Sequence, residues 1–155
     1  MATGALVGLS LAQAYGQARA EMAQGEYQNR MSDINARYAE KRAEKAIEAG
    51  EKQAIEYKKK INQTIGAQRT GFASQGVDVG FGSAQDVQKE TREVGYRDME
   101  EIRTNAFLEA MGYRQQASEM RRTGQLSLEM SRGAAANSLL SGGIRAASMY
   151  QGKGK

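Results

Sequence analysis

The sequence contains no proline, no cysteine, no histidine and no tryptophan. At ordinary usage of about 5%, a chain of 155 residues would carry several prolines. Each one inside a helix would remove a hydrogen bond and kink it. Their absence leaves long helices free to run on. Without cysteine or histidine there is no disulfide, no thiolate nucleophile, no soft-ligand metal site and no serine–histidine–aspartate triad. Carboxylates remain, but they are scattered among lysines and arginines, and none stands as an isolated catalytic pair. The expectation is a protein that is not an enzyme and holds no metal and no cofactor.

Large apolar side chains are also scarce. Aromatic residues make up 6% of the chain, and the mean hydropathy is −0.66, too little apolar material for a large compact core. Charges of both signs alternate, and the formal net charge of +4 is small, unlike that of a disordered tail. Such a composition suits extended helices that bury one face against partners.

Four glycines, Gly71, Gly76, Gly80 and Gly82, fall within residues 71–83, between two segments rich in alanine, glutamine, glutamate, lysine and arginine. Glycine is costly within helices and permissive at positive φ, so the cluster predicts a turn. Ser83 stands where an N-cap would, with Asp86 three residues on. Residues 21–70 and 84–140 are then predicted as long helices. The fold class expected is all-α, two long helices joined by a glycine-rich turn and oligomerising through helical seams.

On the first helix, Tyr27, Met31, Ile34 and Tyr38 follow a four-three-four spacing. After a shift of phase at residues 39–43, Ala43, Ile47, Gly50, Ala54, Tyr57, Ile61 and Thr64 resume it, a seam with a stutter. On the second, Val87, Thr91 and Val94 lead into Met99, Ile102, Ala106, Ala110, Tyr113, Ala117 and Met120. Phe107 and Leu108 lie off that stripe and point to a second contact surface. Ser141-Gly142-Gly143 should end the helix, leaving residues 141–155 as a Gly/Lys tail.

Residues 1–20 differ from the rest. No charged side chain precedes Arg19. The pattern is not that of a secretory signal, since it lacks a basic leader and an unbroken apolar run. Nor is it a conventional transmembrane span, which needs about 20 mainly apolar residues. Gly4, Gly8, Ala12 and Gly16 put a small residue at every fourth place, Val7 and Leu11 belong to an apolar stripe, and Ser10, Gln13 and Gln17 form a polar uncharged face. Two readings fit: an oligomeric helix entering a bilayer and lining a wet lumen, or a helix end packed closely against protein. The pattern alone favours the second.

Other motifs fail on inspection. Gly80-Phe81-Gly82-Ser83 lacks the lysine and the preceding strand of a phosphate loop, and Asp78 alone cannot make a calcium loop. Arg121-Arg122 and the Lys153/Lys155 tail are the best evidence for non-specific contact with DNA, while Lys58-Lys59-Lys60 could meet phosphates but is better explained as a solvated helix face. Elsewhere the basic residues are interleaved with acids.

The middle third, from Ile65-Gly66-Ala67-Gln68-Arg69 through the glycine cluster to Gly82-Ser83 and the helix at 84–114, resembles the small internal virion proteins of short-tailed bacteriophages. These are core proteins ejected with the genome. The resemblance rests on a glycine-rich break between two Ala/Gln/Arg/Glu-rich helices. It implies a structural protein in many copies, stored in the capsid interior near the portal or tail. On infection it would pass into the host cell envelope to help build a genome-delivery conduit. Implied partners are other copies of the chain, other virion core, portal or tail proteins, the host outer membrane after ejection, and packaged DNA non-specifically. A static helical adaptor or core ring, and a DNA-contacting internal protein, are the alternatives.

Overall fold

The computed structural model describes the backbone of residues 2–151 and the side chains of residues 7–149. It contains two long helices packed against each other, α1 (Ala2–Ser74) and α2 (Ser83–Gln151). Strong helix formers fill both. Exposed pairs one turn apart add support along α1, among them Arg30 with Glu26 (3.4 Å), Arg37 with Asp33 (2.9 Å) and Lys52 with Glu48 (2.6 Å).

α1 ends later than the glycine cluster suggests. Gly71 lies inside it, and the helix runs on through Phe72, Ala73 and Ser74 until a residue adopts left-handed backbone. That residue is Gly76, at φ +75°. The Gly76 N–H donates to the Ala73 carbonyl (3.1 Å) and the Val77 N–H to the Phe72 carbonyl (3.0 Å), the paired bonds of a Schellman cap. Only glycine takes this backbone without strain. At the other end Gly82, at φ +66°, occupies the N-cap position. Its carbonyl accepts from the N–H groups of Gln85 (3.0 Å) and Asp86 (3.2 Å). Ser83, expected as the cap, is instead the first residue of α2. Between them Asp78 Oδ1 accepts from the Gly80 N–H (2.9 Å). The buried Gln88 amide ties this segment down. Its Nε2 donates to the Val79 carbonyl (3.0 Å) and the Ala84 carbonyl (3.0 Å), and its Oε1 accepts from Arg69 Nε (2.7 Å).

The chain divides into two compact units, one of Ala39–Gln115 and one combining Met1–Tyr38 with Gln116–Lys155. In the first, Ala39, Ala43, Gly50, Ala54 and Ile65 of α1 are buried on the side facing α2, and Ala84, Gln88, Gly95, Met99 and Ala110 of α2 answer them. Gly50 backs onto Ala106 and Gly95 onto Ile61. In the second, Ala14, Ala18, Gly25 and Ala36 pack with Ala117, Gly124, Ala135, Gly142 and Ala146. There Gly25 meets Ser131, Gly124 meets Ser32 and Gly142 meets Ala14. In each unit the facing pairs keep one antiparallel register. The step from Ala14 to Gly25 equals that from Ser131 to Gly142, and the step from Gly50 to Ile61 equals that from Gly95 to Ala106.

These seams are made of small residues, and among the described residues no large side chain is fully buried. A Cβ added at Gly124 would stand 2.7 Å from Ser32 Cβ, and at Gly25, Gly50, Gly95 and Gly142 the added atom would lie closer still to its neighbour. Backbones that approach this closely gain dispersion contacts along their whole facing length.

The break expected at Ser141-Gly142-Gly143 does not occur, since α2 continues to Gln151. Gly142 keeps helical backbone because its missing side chain admits Ala14. A glycine in a helix costs about 1 kcal/mol of propensity, which the close contact offsets. The Gly/Lys tail with Lys153 and Lys155 lies outside the described residues, as do the surroundings of Gly4.

Candidate interaction surfaces

The seam residues expected from the sequence fall on the facing sides of the helices in the Ala39–Gln115 unit. Ala54 and Met99 are buried, while Ile47, Tyr57, Ile61, Ile102, Ala106 and Tyr113 are half-buried. In the other unit Met120 is half-buried. Thr64 is exposed and its neighbour Ile65 takes the buried place. The expected stutter is absent. Tyr27, Met31, Ile34 and Tyr38 are not in the seam at all, with Tyr27 65% and Tyr38 62% exposed. The seam passes instead through Gly25, Asn29, Ser32 and Ala36, which keep phase with the residues that follow. The four large side chains therefore form a stripe about half a helical turn away from the seam.

On α2, Phe107 is 51% and Leu108 61% exposed, with Met111, Leu126, Met130, Leu140 and Ile144 also turned outward. Apart from Ile65 and Met99, the buried apolar side chains of each unit are alanines, and many of the larger apolar side chains are exposed. That inverts the usual distribution in a monomer. Contiguous exposed apolar residues on otherwise polar helices mark sites of association.

Polar contacts fix which sides of the helices meet. In the Ala39–Gln115 unit, Arg103 Nε lies 3.1 Å from Glu51 Oε1 across the seam, and Arg103 Nη1 lies 3.0 Å from Glu100 Oε1 on its own helix. The bond to Glu100 and the charge of Glu51 raise the Arg103 pKa further above its already high ordinary value. On the outside of α1, the hydrogen bond from Lys52 holds Glu48 below the usual carboxylate range. In the other unit, Arg121 lies 3.6 Å from Asp33, so one of the two arginines read as a DNA contact is engaged within the fold. Ser138 Oγ donates to Glu21 (3.0 Å), and Ser127 Oγ donates to Gln28. Gln68 Nε2 donates to Thr91 Oγ1 (2.8 Å) beside the end of α1.

The Tyr57 hydroxyl donates to Asp98 Oδ2 at 2.5 Å, beside an open groove bordered by Lys60, Ile61, Thr64, Val94 and Gly95. Sequence spacing gave no hint of this pair, because Asp98 sits among charged residues of an apparently solvated face. The hydrogen bond to Asp98 raises the Tyr57 pKa, with burial and the carboxylate charge acting in the same direction. The folded value lies above the unfolded one. The stabilisation is therefore complete below about pH 10 and is lost as pH rises through the folded-state value. Urea midpoints at pH 9 and pH 11 are expected to differ less for Tyr57→Phe than for the natural chain. An equal difference in both would exclude the contact in solution.

Among the described residues no three His, Cys, Asp or Glu side chains converge on a metal position, and no helix is long and apolar enough to cross a membrane.

Near the start of α1, Gly8 and Gly16 have no heavy atom within 4 Å of an added Cβ, and Ala12 between them is exposed. Gln13 and Gln17 are exposed as well, while Ser10 is half-buried, with its hydroxyl donating to the Val7 carbonyl (2.9 Å). Val7 is half-buried and Leu11 46% exposed. The small-residue row and the seam are therefore different faces of one helix, with Ala14 and Ala18 buried on the latter. No family model, curated protein or solved structure matches the chain.

Proposed function

We propose that this chain is an internal virion protein of a short-tailed bacteriophage. In this reading it is stored in many copies in the core or portal–tail region and is ejected to help form a genome-delivery conduit across the host envelope. The observation that carries the reading is the inverted distribution of side chains: a seam of alanine and glycine inside, and tyrosine, leucine, isoleucine and methionine outside. Such a hairpin offers its apolar surface to neighbouring copies and partners. With no cysteine to cross-link it and no proline to interrupt its helices, it can also open, pass a narrow channel and close again. The resemblance of the glycine-rich break and its flanking helices to the ejected core proteins supplies the setting.

The uncharged start of α1 would enter lipid only as one of several copies. Gly8, Ala12 and Gly16 would allow close helix approach there, with Ser10, Gln13 and Gln17 turned toward a wet lumen. Full-length protein is expected to release dye from liposomes, and deletion of residues 1–20 to abolish release. Gly8→Leu/Gly16→Leu is the sharper variant, because both side chains would point into open space within one chain. It should retain the helix content and urea midpoint of the natural chain yet lose most of the release. Absence of release by the natural chain would remove the conduit. A static core ring or tail adaptor would remain, a reading favoured by the way Ala14 and Gly142 already satisfy each other within the hairpin.

A further inference from the structure

The stripe of Tyr27, Met31, Ile34 and Tyr38 continues toward the start of α1. Leu9, Gln13, Gly16 and Ala20 step by four, three and four residues, as the later four do, and all eight are exposed. A step of seven residues, two turns, joins the halves into one row. The row lies about half a turn from Ala14, Ala18, Gly25 and Ala36, which are buried against α2. The chain's own second helix therefore leaves it open. It falls wholly within the unit that contains Met1–Tyr38.

We infer that this row is covered by the same row of a second copy of the chain, with the two α1 helices antiparallel. A four-three-four spacing reads the same in both directions, so reversal sets every member opposite a member. Leu9 of one copy meets Tyr38 of the other, Gln13 meets Ile34, Gly16 meets Met31 and Ala20 meets Tyr27. Small residues thus receive large ones, and the helix axes keep one separation along the contact. A parallel pairing would set Tyr27 and Tyr38 against themselves and Gly16 and Ala20 against themselves, forcing the axes apart at one end and leaving a gap at the other. The row spans about 45 Å, and a contact of that length and one helix wide approaches the roughly 800 Å² per partner of a stable dimer. One flank of the row carries the exposed amides of Gln17, Gln24, Gln28 and Asn35, so no unpaired charge is covered there. On the other flank, Arg19 of the second copy arrives level with the Glu26–Arg30 pair, whose side chains are 54% and 76% exposed, and such solvated charges contribute little. The contact is two-fold and closed, each copy giving the same face. It belongs to the protein in solution, since Gln13 and Gly16 would have to leave it before the start of α1 could enter lipid.

This inference rests on the reading of the chain as an assembling subunit, and the test separates the two. The chain has no cysteine, so Ala20→Cys and Tyr27→Cys each add a single thiol at an exposed place. With oxidised glutathione as the oxidant, a mixture of the two variants is expected to form a disulfide-linked dimer. Each variant alone should form at least about tenfold less, because its two thiols would stand about 10 Å apart along the axis, beyond the reach of a disulfide. Ala20→Arg/Ala23→Arg puts charge in the middle of the row without touching the seam. By light scattering it should raise the dissociation constant of the dimer at least about 100-fold, with unchanged helix content. If the mixture cross-links no better than each cysteine variant alone, the antiparallel pairing is overturned. If the arginine variant associates as well as the natural chain, the copies meet elsewhere, and the subunit reading stands without this face. A natural chain that is monomeric in solution and gathers only on phosphatidylcholine liposomes would mean that lipid covers the row, which also overturns the pairing. A chain that is monomeric at every concentration, with and without liposomes, overturns both.

Discussion

Replacing Gly50 by leucine is expected to destabilise the chain by about 3 kcal/mol, the upper part of the range for overpacked sites. A Cβ at this position already collides with Ala106 Cβ, and the Ile102 carbonyl oxygen lies only 3.7 Å away. Backbone and a methyl group cannot rotate aside as a long side chain can. The two helices must separate locally, and the neighbouring contacts at Ala54 and Ala110 lose their packing with them. Gly112 is the internal control, since nothing lies within 4 Å of its added Cβ. Gly112→Ala should stabilise by roughly 0.5–1 kcal/mol through helix propensity alone. Urea denaturation followed by circular dichroism reads both. Equal effects at the two glycines would mean that the helices do not pack through Gly50 in solution.

Truncating Met99 to alanine is the second large effect, a loss of about 2 kcal/mol. The figure sits at the low end for buried methionine because the seam is narrow and solvent lies close on either side. Met99 is 5% exposed and Ile65 6%. Among the described residues they are the large apolar side chains that are buried, the other buried positions being alanine, glycine and one glutamine. Total stabilities of about 5–15 kcal/mol are usual, so such a loss is a sizeable fraction of the whole. Tyr27→Ala, by contrast, removes a bigger side chain from an exposed place and should leave the urea midpoint of the isolated chain within about 0.5 kcal/mol of the original. A larger loss at Tyr27 than at Met99 would mean that the seam has been assigned to the wrong face of α1.

The two helices were legible in the sequence, since strong helix formers run almost unbroken on both sides of one glycine cluster. Which glycines turn the chain was less so. Gly71 and Gly76 look alike in sequence, and only the φ of Gly76 and its Schellman bonds separate them. The seam from Ala43 to Ile61 was readable because Ile47, Tyr57 and Ile61 mark it with large apolar groups. From Gly25 to Ala36 the same reasoning failed. The seam there is built of Gly25, Asn29, Ser32 and Ala36, which carry almost no hydropathy signal, while Tyr27, Met31, Ile34 and Tyr38 on the outer side carry a strong one. Hydrophobic periodicity finds the most apolar face, and in this stretch that face points away from the partner helix. Ser141-Gly142-Gly143 misled for a related reason, as Gly142 is a packing residue and not a terminator. The Tyr57–Asp98 bond and the Gln88 amide network depend on the register between the helices, which no local pattern encodes.

The proposed function makes the hairpin a subunit that assembles through its outer faces and acts on a membrane. Size-exclusion chromatography coupled to light scattering, on the full-length chain with and without liposomes, tests it most directly. Concentration-dependent association in solution is expected, with a discrete oligomer bound to the liposomes. A chain that stays monomeric in both, with its tyrosines and leucines exposed to water, would contradict it.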